Sequence, residues 1–100
     1  MARIQRVSLA ENVPEGLDLG ITRPGKIIIS NVGSNSAFIG YDYGDVLAAT
    51  ANAAYYTLTA GLTLVFDCGP EVGWISQGQL MWFNANGGDT TVEIWIADSL

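Results

Sequence analysis

The stretch YDYGD, residues 41–45, offers the best-placed pair of carboxylates in the chain, Asp42 and Asp45. Two such groups can share general acid and base work, as in glycoside hydrolysis. The hard oxygens of Asp42, Asp45, Asn84, Asn86 and Asp89 are also the donor type that calcium prefers, although their spacing does not match an EF-hand loop. Beyond these the chemistry is thin. The chain has no histidine, so the commonest general base and a leading metal ligand are missing. Cys68 is its single cysteine and stands in DCGP without an activating base, which reads as an inert thiol. Neither a dinucleotide-binding glycine pattern nor a P-loop occurs. The expectation is a protein without catalytic residues, cofactor or metal, in which Asp42 and Asp45 belong to a solvated turn.

The aromatic residues carry more information. Ten occur, and the three tryptophans, Trp74, Trp82 and Trp95, all fall in the last third of the chain. In TTVEIWIAD (90–98) the alternation sends Val92, Ile94 and Ile96 to one face of a strand. Thr91, Glu93, Trp95 and Ala97 go to the other. A tryptophan on a polar face needs a cover. Subunit contact is the preferred reading, because tryptophan and tyrosine are enriched in interfaces. Coverage by the chain's own amino-terminal segment and stacking against a sugar ring are the alternatives. Tyr41 and Tyr43 raise the same question, whereas Trp82 beside Leu80 reads as core.

One hundred residues make one domain. Only 14% are charged against 49% hydrophobic, so the chain cannot easily coat itself with polar groups, and some apolar surface is expected to be shared with copies of itself or a partner. The net charge is −6 and unevenly spread. All four bases (Arg3, Arg6, Arg23, Lys26) lie in the first 26 residues, and the seven acids after them meet no base. An acidic body repels phosphate, which argues against nucleic-acid binding. No apolar run is long enough for a signal peptide or a membrane span, and a lone cysteine suits a reducing compartment.

Glycines and small polar clusters recur every eight to twelve residues, the spacing of an all-β sandwich or barrel. Strands are expected over 3–9, 26–32, 37–43, 55–60, 62–67, 73–76, 79–85 and 90–98. GSNS (33–36) and NGGD (86–89) are expected to close antiparallel hairpins, since Gly and Asn accept the positive φ of such turns. Residues 44–54 read as a short strand around 46–50 and a loop, with a helical turn capped by Asp45 as the other option. Residues 1–25, with Pro14 and Pro24, read as a partly extended arm, of which 1–12 are expected to order on a neighbour. The whole is expected to be a single antiparallel β-sandwich of jelly-roll type with very little helix. Its core should include Ile27, Ile29, Leu62, Leu64, Phe66, Leu80, Val92, Ile94 and Ile96. Strands with two apolar faces, such as those carrying Ile28, Met81, Phe83 and Trp95, need cover on both sides.

FIG (38–40), LAATAN (47–52), YTLTAG (56–61), LTLVFD (62–67), WIS (74–76) and the terminal TTVEIWIAD follow one another in an order that resembles short β-sandwich structural proteins of tailed bacteriophages, of the capsid decoration or cement type. The resemblance spans residues 38–97 and departs at Ala53, where a glycine would suit the turn better. It implies a virion protein, made in the host cytoplasm, that stabilises a shell by contacts with the major capsid protein or another virion protein. It implies a homo-oligomer, plausibly a trimer, with no nucleic-acid or membrane partner. The residues expected to make those contacts are Arg3, Ile4, Arg6, Val7, Tyr41, Tyr43, Trp74 and Trp95. A tail, neck or head-fibre component is the nearest alternative. A carbohydrate-binding module with an aromatic platform is the alternative from another class.

Overall fold

In the computed structural model, which describes residues 2–21, 24–48, 52–68 and 80–97, alternating apolar residues build eight strands and one short helix. The strands are β1 (Ala2–Leu9), β2 (Glu15–Asp18), β3 (Gly25–Asn31), β4 (Ser36–Gly40), β5 (Tyr55–Leu58), β6 (Thr63–Cys68), β7 (Leu80–Asn86) and β8 (Thr90–Ala97). The helix α1 (Tyr43–Ala48) falls between β4 and β5. Two four-stranded antiparallel sheets result, in the orders β1-β8-β3-β6 and β2-β7-β4-β5. Among the described strands only β4 and β5 are consecutive in one sheet; every other step from one to the next changes sheet. That is the double winding of a jelly roll, the type of sandwich expected for the whole chain.

The core lies between the sheets. Ile27, Ile29, Val92, Ile94 and Ile96 come from the first sheet, and Ala37, Ile39, Leu58, Met81, Phe83 and Ala85 from the second. Leu64 and Phe66 pack against this cluster at its margin. Two expected core residues are not in it: Leu62 sits exposed in the turn before β6, and Leu80 is exposed on the outer face of β7. Both faces of β7 are apolar, so alternation alone could not tell Met81 and Phe83, which point inward, from Leu80 and Trp82, which do not.

The two expected hairpins are arches between sheets. β3 pairs with β6 and β8, and β4 with β5 and β7, so 26–32 and 37–43 never pair with each other. The same holds for β7 and β8. Gly and Asn permit an arch as readily as a hairpin, and local fastening decides between them. The amides of Val32 and Gly33 both donate to the Thr91 carbonyl, at 2.9 and 3.2 Å, which seats the loop on β8 instead of folding β3 back on itself. A Cβ at Gly33 would collide with Thr90 Oγ1 and the Thr91 amide.

Beneath this arch lies Asn31, 1% exposed. Its Nδ2 donates to the carbonyls of Asn35 (2.8 Å) and Leu58 (2.9 Å). Its Oδ1 accepts from the Gly33 amide (3.2 Å) and Thr90 Oγ1 (2.8 Å). An asparagine side chain offers two donors and two lone pairs, and all four are used. The bond to Leu58 joins β3 in one sheet to β5 in the other.

Residues 1–25, expected as an arm, supply two edge strands. β1 pairs with β8 without a break, from Ala2 opposite Ala97 to Leu9 opposite Thr90. β2 pairs with β7. Leu9, Leu19 and Ile21 are buried, and Val7 and Leu17 pack on the core. The prolines interrupt the apolar alternation without ending it, and Asn12 and Gly20 take positive φ at the bends between runs. The Arg3 guanidinium then ties β1 to the segment after β2 by donating to the carbonyls of Leu19 and Gly20, at 2.6 and 3.3 Å.

Candidate interaction surface

Each sheet has an outer face, and the chain treats the two differently. On the second sheet the outer positions of β7 and β4 include Trp82, Asn84, Phe38 and Gly40, and α1 lies across them. Asp42 caps this helix by accepting from the Asp45 amide (3.2 Å), so Asp45 is a first-turn acid and not the cap. Residues 46–48 are therefore helical where a short strand was expected. Val46 is fully buried against Gly40, where a Cβ would stand 3.0 Å from Val46 Cγ1 and 2.9 Å from the Ala54 carbonyl. Asn84 Nδ2 donates to the Val46 carbonyl (3.0 Å).

Trp82 is packed by the same chain. Its six-membered ring lies over Gly16, where a Cβ would be 2.9 Å away, and Tyr43 meets it edge-on at 5.4 Å between ring centroids. Phe38 and Tyr55 make a similar pair at 4.8 Å. Expected as core, Trp82 is instead half-buried under this outer cover. Gly16 was the missed signal, because only a residue without a side chain leaves room for the indole.

The first sheet has no such cover among the described residues. Strand register sets Ile4 opposite Trp95, Trp95 opposite Ile28, and Ile28 opposite Val65. All four point outward and form one apolar row across β1, β8, β3 and β6. Ile4 is 72%, Trp95 48% and Val65 52% exposed, and Ile28 is partly buried between its neighbours. The adjacent rows are polar or small. On one side, Arg6 donates to Glu93 at 2.9 Å, with Ser30 and Thr63 bonded to each other beyond. On the other, Ala2 and Ala97 are followed by the Lys26–Asp67 ion pair. An apolar stripe with a charged rim is the anatomy of a protein-binding surface.

Of the expected contact residues, the structure brings Ile4 and Trp95 into direct register and puts Arg6 in the next row. Arg3 and Val7 face the opposite way, toward the inside of the sandwich. Tyr43 belongs to the cover over Trp82. Tyr41, half-exposed, lines a cleft of about 670 Å³ at the β5 and β6 edges with Ile39, Tyr56, Leu64, Phe66 and Met81, where burial raises its phenol pKa. Trp74 lies outside the described residues. Ile28 and Val65 complete the row and were missed as contacts. Their signal lay in III (27–29) and LVF (64–66), where the outward residue, Ile28 or Val65, is as apolar as the inward residues on either side.

The carboxylates show separate structural duties. Asp42 caps α1, while Asp89 accepts from the Glu11 amide (3.0 Å) and Glu11 from the Gly87 amide (3.0 Å) at the β7–β8 arch. Among the described residues, no three acidic or thiol side chains converge as a metal site would require, and no helix is long and apolar enough to cross a membrane. No protein-family model, curated protein or solved structure matches the chain.

Proposed function

We propose that this chain is a structural protein of a bacteriophage virion, of the capsid decoration type, that binds the shell through the outer face of its β1-β8-β3-β6 sheet. The observation that carries the reading is the row Ile4–Trp95–Ile28–Val65, which spans four strands uncovered among the described residues. Fully burying one such aliphatic side chain contributes about 1.5–3 kcal/mol. The flanking ion pairs are exposed, and such pairs contribute about 0–1 kcal/mol each, so they set orientation more than affinity. The sequence resemblance to cement proteins and the jelly-roll winding support the virion setting. The partner is the major capsid protein or a neighbouring virion protein, and the protein is made in the host cytoplasm before it joins the particle.

Jelly rolls also serve as lectins, so a sugar platform at Trp95 is the competing reading. The row neighbours of Trp95 are aliphatic, and the polar groups in the flanking rows are engaged with one another, Arg6 with Glu93, Lys26 with Asp67 and Ser30 with Thr63, where a sugar would need them for its hydroxyls. That favours a protein. Co-sedimentation of purified protein with phage particles lacking it tests the proposal. Wild-type protein should pellet with the particles and Trp95→Ala should stay in the supernatant. Particle binding that survives Trp95→Ala, or retention on a glycan column with no particle binding, overturns it.

A further inference from the structure

We infer that β1 is a dimerisation edge: the first sheet continues into a second copy of the chain by antiparallel pairing of β1 with its symmetry mate. Among the described residues the two sheets have four edge strands, and β1 is the longest, with eight residues against six in β6 and four each in β2 and β5. It contains no proline, bulge or positive φ, and its pairing with β8 runs unbroken from end to end. A long regular edge is a template for another strand unless charges, kinks or a covering segment block it.

The two cations of β1 do not guard it. Arg3 is turned onto the carbonyls of Leu19 and Gly20, and Arg6 is paired with Glu93 on the neighbouring strand of its own sheet. What the edge presents instead is Ile4, the most exposed of the large hydrophobic residues described.

A second copy fits this edge because the strand is self-complementary about Ile4. With Ile4 opposite Ile4 of the other copy, each Ala2 faces Arg6 and each Arg3 faces Gln5, so no like charges stand directly opposite, and the Arg3 guanidinium is held by the Leu19 and Gly20 carbonyls of its own chain. The two apolar rows then join end to end into one belt across eight strands. A two-fold contact of this kind uses the same patch on both chains and closes on itself. The inference concerns the edge of the sheet and stands apart from the capsid reading of its face.

The test is made on the isolated full-length chain, without particles. Sedimentation velocity over a dilution series should show a species of twice the 10.6 kDa chain mass that dissociates on dilution. Ile4→Lys, a guard of the kind natural edges carry, should give single-chain mass with the melting temperature kept. In a Cys68→Ser background, Ile4→Cys should oxidise to a covalent dimer, because directly opposed residues in an antiparallel pair bring Cα atoms about 4.5–5.5 Å apart, within disulfide reach. Ser8→Cys, on the same face but beyond the paired stretch, should not. A wild-type chain of single mass throughout, a dimer that survives Ile4→Lys, or cross-linking at Ser8 equal to that at Ile4 overturns the inference.

Discussion

Thr90 Oγ1 donates a 2.8 Å hydrogen bond to Asn31 Oδ1, joining two residues 59 positions apart beneath the β3–β4 arch. The bond completes a side chain whose every donor and acceptor is engaged, in a site water does not reach. Asn31→Asp should therefore cost about 2–4 kcal/mol, since it turns a donor to two carbonyls into an acceptor facing them. Thr90→Val, which removes one bond and keeps the shape, should cost about 1 kcal/mol. Urea denaturation of both variants measures the difference, and equal midpoints would show that the network is not what fixes the arch.

Deleting residues 2–9 should unfold the protein. The deletion removes buried Leu9 and packed Val7, and it strips one side of β8, the strand beside β1 in the sheet. Loss of the β circular dichroism signal and of a cooperative melt is the expected result. A truncated protein that still melts cooperatively would restore the view of this segment as an accessory arm.

The two outward tryptophans should behave in opposite ways. Trp95→Ala should leave the melting temperature nearly unchanged and weaken particle binding by about 2 kcal/mol or more, the scale of an interface hot spot. Trp82→Ala empties the space between Gly16 and Tyr43 and should cost the fold about 2–3 kcal/mol, somewhat below the range for a fully buried aromatic. Thermal melts paired with pelleting assays separate the two effects.

Asp42→Ala should cost about 1 kcal/mol by removing the cap of α1, while Asp42→Asn should cost much less because asparagine caps as well. If both lose stability equally, charge at the helix start matters more than the hydrogen bond. Chelator should leave the melting curve of the wild type in place; a fall would reveal a bound cation at the acidic loops.

Strand alternation made much of this fold legible. Ile27 and Ile29, and Val92, Ile94 and Ile96, each mark an inner face that the structure keeps. What alternation could not say was which strands pair, because GSNS and NGGD suit a hairpin and an arch equally. For GSNS the decision rests on contacts with Thr90 and Thr91, far away in the chain. β7 was read inside out for a related reason, since its second apolar face is covered by a helix that no sequence periodicity announced. Asn31 read as one more residue of the strand 26–32 and is a buried hub. At the candidate surface, Trp95 stood out on an otherwise polar strand face, but Ile28 and Val65 join its row only through pairing across three strands.

The position of β8 governs how the chain can fold as it is made. In the first sheet β8 lies between β1 and β3, although it is the last of the described strands to be synthesised. Until residue 97 has left the ribosome, β1 has no sheet partner and β3 has only β6. A nascent chain therefore carries an unpaired β1 through most of its translation. Most native contacts join residues distant in sequence, which places folding toward the slow end for a domain of this size. During that interval the exposed strands are open to pairing with other nascent chains. Slower synthesis would lengthen this exposure, so yield should fall when translation is slowed and rise when a holdase chaperone is abundant.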